Sequence, residues 1–123
     1  MTVERRTWWR DAALVFAAAL ALRLLFNWGF VTNKAHPDIA SMYQYSLRVA
    51  QGIYYGEGAY WPPGFIFLSG GLIRLFGPEG YWTAVRYLQA LLGAATCALG
   101  YAIGRAAFGS RSAGLLGGLG LAV

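Results

Sequence analysis

Charge is scarce in this chain, and acidic side chains are the scarcest. Its 123 residues hold ten Lys and Arg, five Asp and Glu and one His, whereas 58% of the residues are hydrophobic. So few charges cannot solvate the surface of a water-soluble domain of this length, and the composition therefore predicts a lipid bilayer as the environment. No basic tract is dense enough to follow a phosphate backbone, which argues against nucleic acid as a partner.

Reactive side chains are equally few. Cys97 is the only cysteine, so an internal disulfide and a cysteine-based metal site are excluded, and its apolar surroundings predict a small packing residue. His36 and Asp38 offer too few ligands for a metal site, and the sequence lacks a phosphate-cradling glycine loop, a nucleophile elbow and a zinc signature. The cofactor stays unknown, with a divalent cation as the open alternative.

Long apolar runs are what the chain does contain. Residues 12–31 give about twenty positions, enough for one transmembrane helix, and residues 87–104 predict a second. A third apolar run starts at residue 112 and reaches the last residue, so we expect the sequence to stop inside a third membrane helix. The first run follows a flank typical of a cytoplasmic end and an interfacial anchor, made of Arg5, Arg6, Trp8, Trp9 and Arg10.

Two features stand out within these runs. Arg23 lies well inside the first run, where it either snorkels to the far interface or faces a cavity and pairs with an acid or a phosphate. Both interpretations stay open. In the second run, Gly100 and Gly104 share one helix face at the spacing that lets membrane helices approach closely.

The segment 32–82 between the first two spans is polar, aromatic and rich in turns. Apolar residues at three- and four-residue spacing predict an amphipathic surface helix over residues 39–51. Residues 64–76 are apolar but too few to cross a bilayer, so we expect a re-entrant or interfacial helix that ends at Gly77 and Pro78.

The positions of the basic residues predict the orientation. If residues 64–76 are re-entrant, the amino-terminal arginines lie on the same side as Arg105 and Arg111, whereas a full span there would separate the two groups. The positive-inside rule makes the shared side cytoplasmic. The segment 32–82 is then outside the cytoplasm.

Asp38 is the candidate catalytic residue. One interpretation is structural, with Asp38 accepting backbone N–H bonds at the start of the surface helix. The other is a carboxylate at the membrane face that takes a proton from an acceptor hydroxyl, and the two roles are compatible. His36 is a second candidate for proton transfer or metal binding, although a lone His in a polar loop more often serves neither purpose.

Aromatic and basic residues of the same segment are candidate substrate-binding residues. Tyr60, together with its aromatic neighbours, either forms an interfacial belt or stacks on a sugar or isoprenoid chain. Arg74 and Arg86 either grip a lipid phosphate or anchor the chain at the interface. Tyr43, five residues after Asp38, is the fourth candidate. The aromatic neighbours of Tyr60 are Tyr54, Tyr55 and Trp61.

The order of short motifs along the chain is moderately specific. Asp38 and Tyr43 are followed by the stretches RVAQGIYY, YWPPG and LIRLFG, then by Arg86-x-x-Gln89-x-Leu91-Leu92-Gly93 and Tyr101-x-x-Gly104-Arg105-x-x-Phe108-Gly109. From about Leu14 onward this succession resembles the amino-terminal part of polytopic GT-C glycosyltransferases, the bacterial relatives of protein mannosyltransferases and aminoarabinose transferases.

The resemblance implies an all-α fold of many transmembrane helices in the bacterial plasma membrane. It implies that Asp38, in the first extracytoplasmic loop, is the catalytic base, that the donor is a polyprenyl-phosphate-linked sugar, and that transfer inverts the anomeric centre. Several members of the family carry a second acid next to the first or downstream of it. Here Ile39 follows Asp38, which leaves the use of a metal open.

The expected function is therefore that of an amino-terminal fragment of an inverting membrane glycosyltransferase, which carries the base but not the donor pocket and is inactive alone. The alternative is a small non-enzymatic membrane protein that acts through helix packing on its glycine-rich faces. The sugar, the acceptor and the oligomeric state are left open by the sequence.

Overall fold

The computed structural model describes residues 3–29, 37–53 and 60–122. In these ranges the regular structure is helical throughout, which confirms the all-α expectation at this level. The helices are α1 (Val3–Gly29), α2 (Pro37–Ala50), α3 (Pro63–Phe108) and α4 (Arg111–Gly120). The first predicted span, 12–31, lies largely within α1, but α1 begins earlier and includes the basic and tryptophan-containing flank.

Two of these helices are long and apolar enough to cross a membrane, Thr7–Gly29 within α1 and the whole of α3. Only 17% of the most apolar stretch of each helix is buried inside the chain. The core helix of a water-soluble domain would be mostly buried, whereas a helix that faces lipid keeps its apolar side chains on the outside.

A break divides α3 into two arms, residues 63–76 and 78–108. Gly77 has φ 73° and ψ 168°, a conformation that glycine adopts readily and other residues avoid. Pro78 follows, and its ring and missing N–H favour a break at this point. The break therefore falls where the sequence predicts the end of the 64–76 helix.

The chain divides into two compact units, of which the first comprises residues 1–31 and 88–123. Its core is made of small and medium side chains around the fully buried Tyr101 ring. Gly118 shows how close the helices are, because a Cβ added there would lie 2.8 Å from Val15 Cγ1 and 2.9 Å from the Cys97 carbonyl oxygen. The other buried core residues are Ala19 and Ala94. Cys97 is buried in this core, which confirms the packing role predicted for it.

The predicted close approach at Gly100 and Gly104 occurs between α3 and α4. A Cβ added to Gly104 would lie 2.8 Å from the Ala113 carbonyl oxygen, and one added to Gly100 would lie 3.2 Å from that of Gly117. Real Cβ atoms are essentially never found below 3.0 Å. This face of α3 therefore packs within the chain itself.

The second unit comprises residues 32–87, and in it α2 packs on α3. Val49 Cγ1 would lie 2.7 Å from a Cβ added to Gly70, so the two helices touch at a glycine. Aromatic and aliphatic residues fill the rest of this contact: Ile73, Tyr81 and Val85 are buried, and Tyr43, Leu47, Ala50, Leu72 and Trp82 pack against them.

The end of α2 is a glycine-terminated cap. The N–H of Ile53 donates to the Arg48 carbonyl at 2.9 Å and that of Gly52 donates to the Val49 carbonyl at 3.0 Å. Gly52 has φ 81°, so the pattern is a Schellman motif with glycine in the left-handed position. The predicted surface helix 39–51 and the observed α2 agree to within two residues at each end.

Replacing Gly77 by alanine should destabilise the protein, because an L side chain is strained at this backbone conformation. We expect a loss of about 1–3 kcal/mol in the free energy of unfolding, measured by reversible unfolding in detergent micelles and followed by circular dichroism. Gly71→Ala is the matched control: Gly71 is helical with open space around its Cβ position, and alanine there should be neutral or stabilising by up to about 1 kcal/mol. Equal effects at the two positions would contradict the account.

Gly104→Ala should also destabilise, since the added methyl group meets a backbone oxygen that cannot move without shifting α4. Overpacking of this kind typically costs about 1–3 kcal/mol. Gly120→Ala is the control, because nothing lies within 4 Å of its Cβ position. A Gly104→Ala protein that unfolds at the same denaturant concentration as the parent would show that the α3–α4 contact is looser than described.

Candidate functional site

Asp38 lies in the first turn of α2 and is exposed. The helix begins at Pro37, and proline suits the first helical position because its missing N–H would have no partner there. Asp38 is thus the second residue of the helix. The N-cap interpretation expects it to be the residue just before the first helical one, and the structure differs on this point. A negative side chain in the first turn interacts favourably with the positive end of the helix dipole.

Tyr43 lies on the part of α2 that packs against α3. Its ring centroid is 5.2 Å from that of Tyr81 and 5.1 Å from that of Trp82, and the side chain is half-buried. Five residues separate Tyr43 from Asp38, which turns the helix by about 140°. The two candidates therefore lie on different faces of α2.

The remaining substrate-binding candidates lie on three other segments of the second unit. Tyr60 is 85% exposed and its ring meets that of Trp61 edge-on at 5.1 Å. Arg74 is exposed on the first arm of α3, and Arg86 is half-buried on the second arm, beyond the break. Their roles in binding a substrate stay predictions.

Several sequence candidates lie outside the described residues, namely His36, Tyr54 and Tyr55. Within the described ranges, no three His, Cys, Asp or Glu side chains come close enough together to hold a metal ion.

A buried acid forms the most strongly connected polar cluster of the first unit. Asp11, on α1, is 1% exposed. Arg111 binds it with two hydrogen bonds, from Nε to Oδ2 at 2.7 Å and from Nη2 to Oδ1 at 2.9 Å. The Tyr101 hydroxyl donates to Oδ2 at 3.2 Å, and Arg105 Nη1 donates to that hydroxyl at 2.7 Å and lies 3.7 Å from Oδ2. We call these four residues the Asp11 cluster.

The Asp11 cluster satisfies a carboxylate that would otherwise be costly to bury. Hydrogen bonds between charged groups, and two-pronged guanidinium–carboxylate contacts above all, are the strong ones. Removing the arginine would leave the buried carboxylate with less compensation for its charge. Hydrogen bonding to Asp11, and then its negative charge, raise the pKa of Arg111 above its ordinary value. With one acid and two arginines, the cluster carries a net positive charge.

Sequence reasoning missed this cluster. Asp11 stands at the end of a basic flank and Arg105 and Arg111 flank a turn, so both groups are explained by membrane topology alone. A usable signal existed: an acid at the start of one apolar run and arginines at the end of another would meet if the two helices are antiparallel.

Arg23 folds inward onto α3. A Cβ added to Gly93 would lie 2.7 Å from both Cζ and Nε of Arg23, so the guanidinium lies across the glycine. Its Nη2 donates to the Leu121 carbonyl oxygen at 3.2 Å and contacts Cys97 Sγ at 3.9 Å. Of the two interpretations left open, this position favours the inward-facing cation.

Comparison with models of known protein families, with curated proteins and with solved structures finds no match to this chain. What supports a function is therefore the sequence and geometry of the chain itself.

Asp11→Asn should lower the temperature of unfolding, because Arg105 and Arg111 would lose their shared carboxylate. The effect of Asp11→Asn combined with Arg111→Gln should be clearly smaller than the sum of the single effects, since both remove the same pair. Thermal unfolding in detergent measures this, with Glu79→Gln, an exposed acid, as the control. Additive effects would show that the pair contributes nothing.

Proposed function

We propose that this chain carries the catalytic base of an inverting GT-C-type membrane glycosyltransferase. The enzyme moves a sugar from a polyprenyl-phosphate donor to an acceptor hydroxyl outside the cytoplasm. Asp38 is the base. The observation that carries the proposal is the position of this acid: it is exposed in the first turn of an amphipathic helix that follows the first candidate membrane span.

The chemistry requires an accessible, negatively charged carboxylate. Asp38 takes the proton from the acceptor hydroxyl while the hydroxyl oxygen attacks the anomeric carbon of the donor sugar. The bond between that carbon and the phosphate oxygen breaks, and polyprenyl phosphate leaves with the electron pair. Attack opposite the leaving group inverts the anomeric centre. The exposure of Asp38 leaves room for the acceptor.

The arrangement of the first unit supports the proposed topology. Asp11 contacts Tyr101, and Arg23 contacts Gly93, so α1 runs antiparallel to residues 88–108. The basic residues at the start of α1 therefore lie on the same side as Arg105 and Arg111, and the positive-inside rule assigns that side to the cytoplasm. The loop that bears Asp38 then lies outside the cytoplasm, at the bacterial plasma membrane.

The first arm of α3 has the surface expected of an interfacial or re-entrant helix. Its face toward α2 is buried, while Phe67, Leu68, Leu75 and Phe76 are all exposed. Exposed apolar residues on such a short arm fit contact with lipid better than contact with water. In this proposal Arg74, which is exposed on the same arm, binds a lipid phosphate.

The other substrate contacts of the proposal are aromatic and basic. Tyr60 offers an exposed ring to the sugar or the isoprenoid chain, and Arg86 offers a second guanidinium to the donor phosphate. Tyr43, whose ring packs on Tyr81 and Trp82, contributes by holding α2 on α3.

The alternative function, a non-enzymatic membrane protein that acts through helix packing, needs a glycine-rich face that is open to a partner. The face at Gly100 and Gly104 is covered by α4 of the same chain. This arrangement supports the enzymatic proposal over the alternative, because the glycines already have a structural use.

Asp38→Asn should reduce sugar transfer by about 10²–10⁴-fold, because asparagine cannot accept the proton. The measurement is transfer of radiolabelled sugar from a polyprenyl-phosphate donor. It uses membranes that contain the protein expressed from the whole open reading frame of its gene. Glu79→Gln, which removes another exposed acid of the same unit, should leave the rate unchanged. A variant Asp38→Asn that transfers sugar at the parental rate would sink the proposal.

A further inference from the structure

The position of Arg23 points to a binding site in the first unit. Arg23 lies six residues before the end of α1 at Gly29, about 9 Å along the helix, and inside the candidate membrane span Thr7–Gly29. Charged side chains at such depth are costly, and in membrane proteins they mark ligand or ion pathways.

The contacts of Arg23 leave its charge poorly compensated. The two acceptors that its Nη2 meets are a main-chain carbonyl and a thiol, and neither is charged; a thiol is also a weak acceptor. Among the described residues, Nε is buried and has no hydrogen-bond acceptor. Unsatisfied buried donors are uncommon in native structures, and the loss of this hydrogen bond adds to the cost of an uncompensated guanidinium inside the span.

The acidic residue on the same helix already has other partners. Asp11, on the same helix, is held by Arg105 and Arg111, so it supplies no negative charge to Arg23. Asp11 is the one acidic side chain described in the first unit, so the described residues of this unit supply no counter-charge to Arg23.

Two further polar side chains lie between Arg23 and the carboxyl-terminal end of α1. Asn27 follows Arg23 by one helical turn and is half-buried, and Gln89 precedes Gly93 by one turn and is exposed. Residues four apart lie on one face of a helix. Because α1 and residues 88–108 are antiparallel, with Arg23 opposite Gly93, Asn27 comes to the level of Gln89. A guanidinium and two amides thus form a polar stripe toward the end of α1.

We propose that Arg23, Asn27 and Gln89 bind the phosphate group of a membrane lipid. The planar guanidinium offers N–H donors that match phosphate oxygens, the amide groups add neutral donors, and the glycine at position 93 gives the guanidinium room against α3. Phosphate is the anion that the bilayer itself supplies at the ends of a lipid-facing helix.

Two sources share this chemistry, the polyprenyl-phosphate donor and an ordinary anionic phospholipid. The first source rests on the proposed function, whereas the second does not.

Native mass spectrometry of the purified full chain in detergent tests the proposal. The probes are polyprenyl phosphate, phosphatidylglycerol and, as the phosphate-free match, polyprenol. Arg23→Gln should weaken binding of polyprenyl phosphate by about tenfold or more, the usual effect of losing a charged hydrogen bond. Arg10→Gln, on the same helix and exposed, should leave it unchanged.

The outcomes separate the sources. If Arg23→Gln loses binding of polyprenyl phosphate alone, the site belongs to the donor. If it loses binding of phosphatidylglycerol as well, the site binds lipid phosphate in general. Equal binding of polyprenol and polyprenyl phosphate by the parent, or full binding by Arg23→Gln, would overturn the proposal. Gln89→Leu, at an exposed position that folding tolerates, should weaken binding severalfold and provides a second test if Arg23→Gln does not fold.

This test stands apart from that of the base. Asp38→Asn should bind polyprenyl phosphate as the parent does even though it transfers sugar far more slowly. If Asp38→Asn were still active, the proposed function would fail and the phosphate-binding result would remain valid.

Discussion

The burial of one carboxylate near the start of α1 is the constraint on which the first unit depends. Asp11 is almost inaccessible, so its charge must be met by partners, and these come from the end of α3 and the start of α4. Meeting them brings three helix ends to one place. The small residues in the core of the first unit then allow the helices to approach closely, because glycine and alanine place little or no side chain between the backbones.

In the second unit the helices are shaped by glycines with special backbone conformations or close contacts, whereas the first unit depends on a buried charge. Gly77 supplies a conformation that breaks α3, and Gly52 closes α2 in a left-handed turn. Gly70 lets α2 lie against the first arm. Gly52 thus sets where α2 ends, and Gly70 sets how closely α2 approaches α3. The helix that carries Asp38 packs on Tyr81 and Trp82 through Tyr43, which lies on a different face of α2 from Asp38.

Features set by local sequence could be predicted, and features set by distant contacts could not. The span of α2, the break at Gly77 and Pro78 and the close face at Gly100 follow from periodicity, turn chemistry and residue size within a few positions. The start of α1 was missed because a hydropathy pattern registers the apolar run and not the helical residues before it. The Asp11 cluster joins residues about a hundred positions apart, and no local pattern specifies such a pair. The inward position of Arg23 likewise depends on Gly93 of another helix.

The proposed function depends on a topology in which Asp38 lies outside the cytoplasm and the Asp11 cluster lies on the cytoplasmic side. The most direct measurement is labelling of single cysteines by a membrane-impermeant maleimide in spheroplasts, in a Cys97→Ala background. Ser41→Cys, on the exposed part of α2, should react in intact spheroplasts. Ser112→Cys, exposed next to Arg111, should react only after lysis. Labelling of both positions from the same side, or in the reverse order, would contradict the topology and with it an extracytoplasmic base.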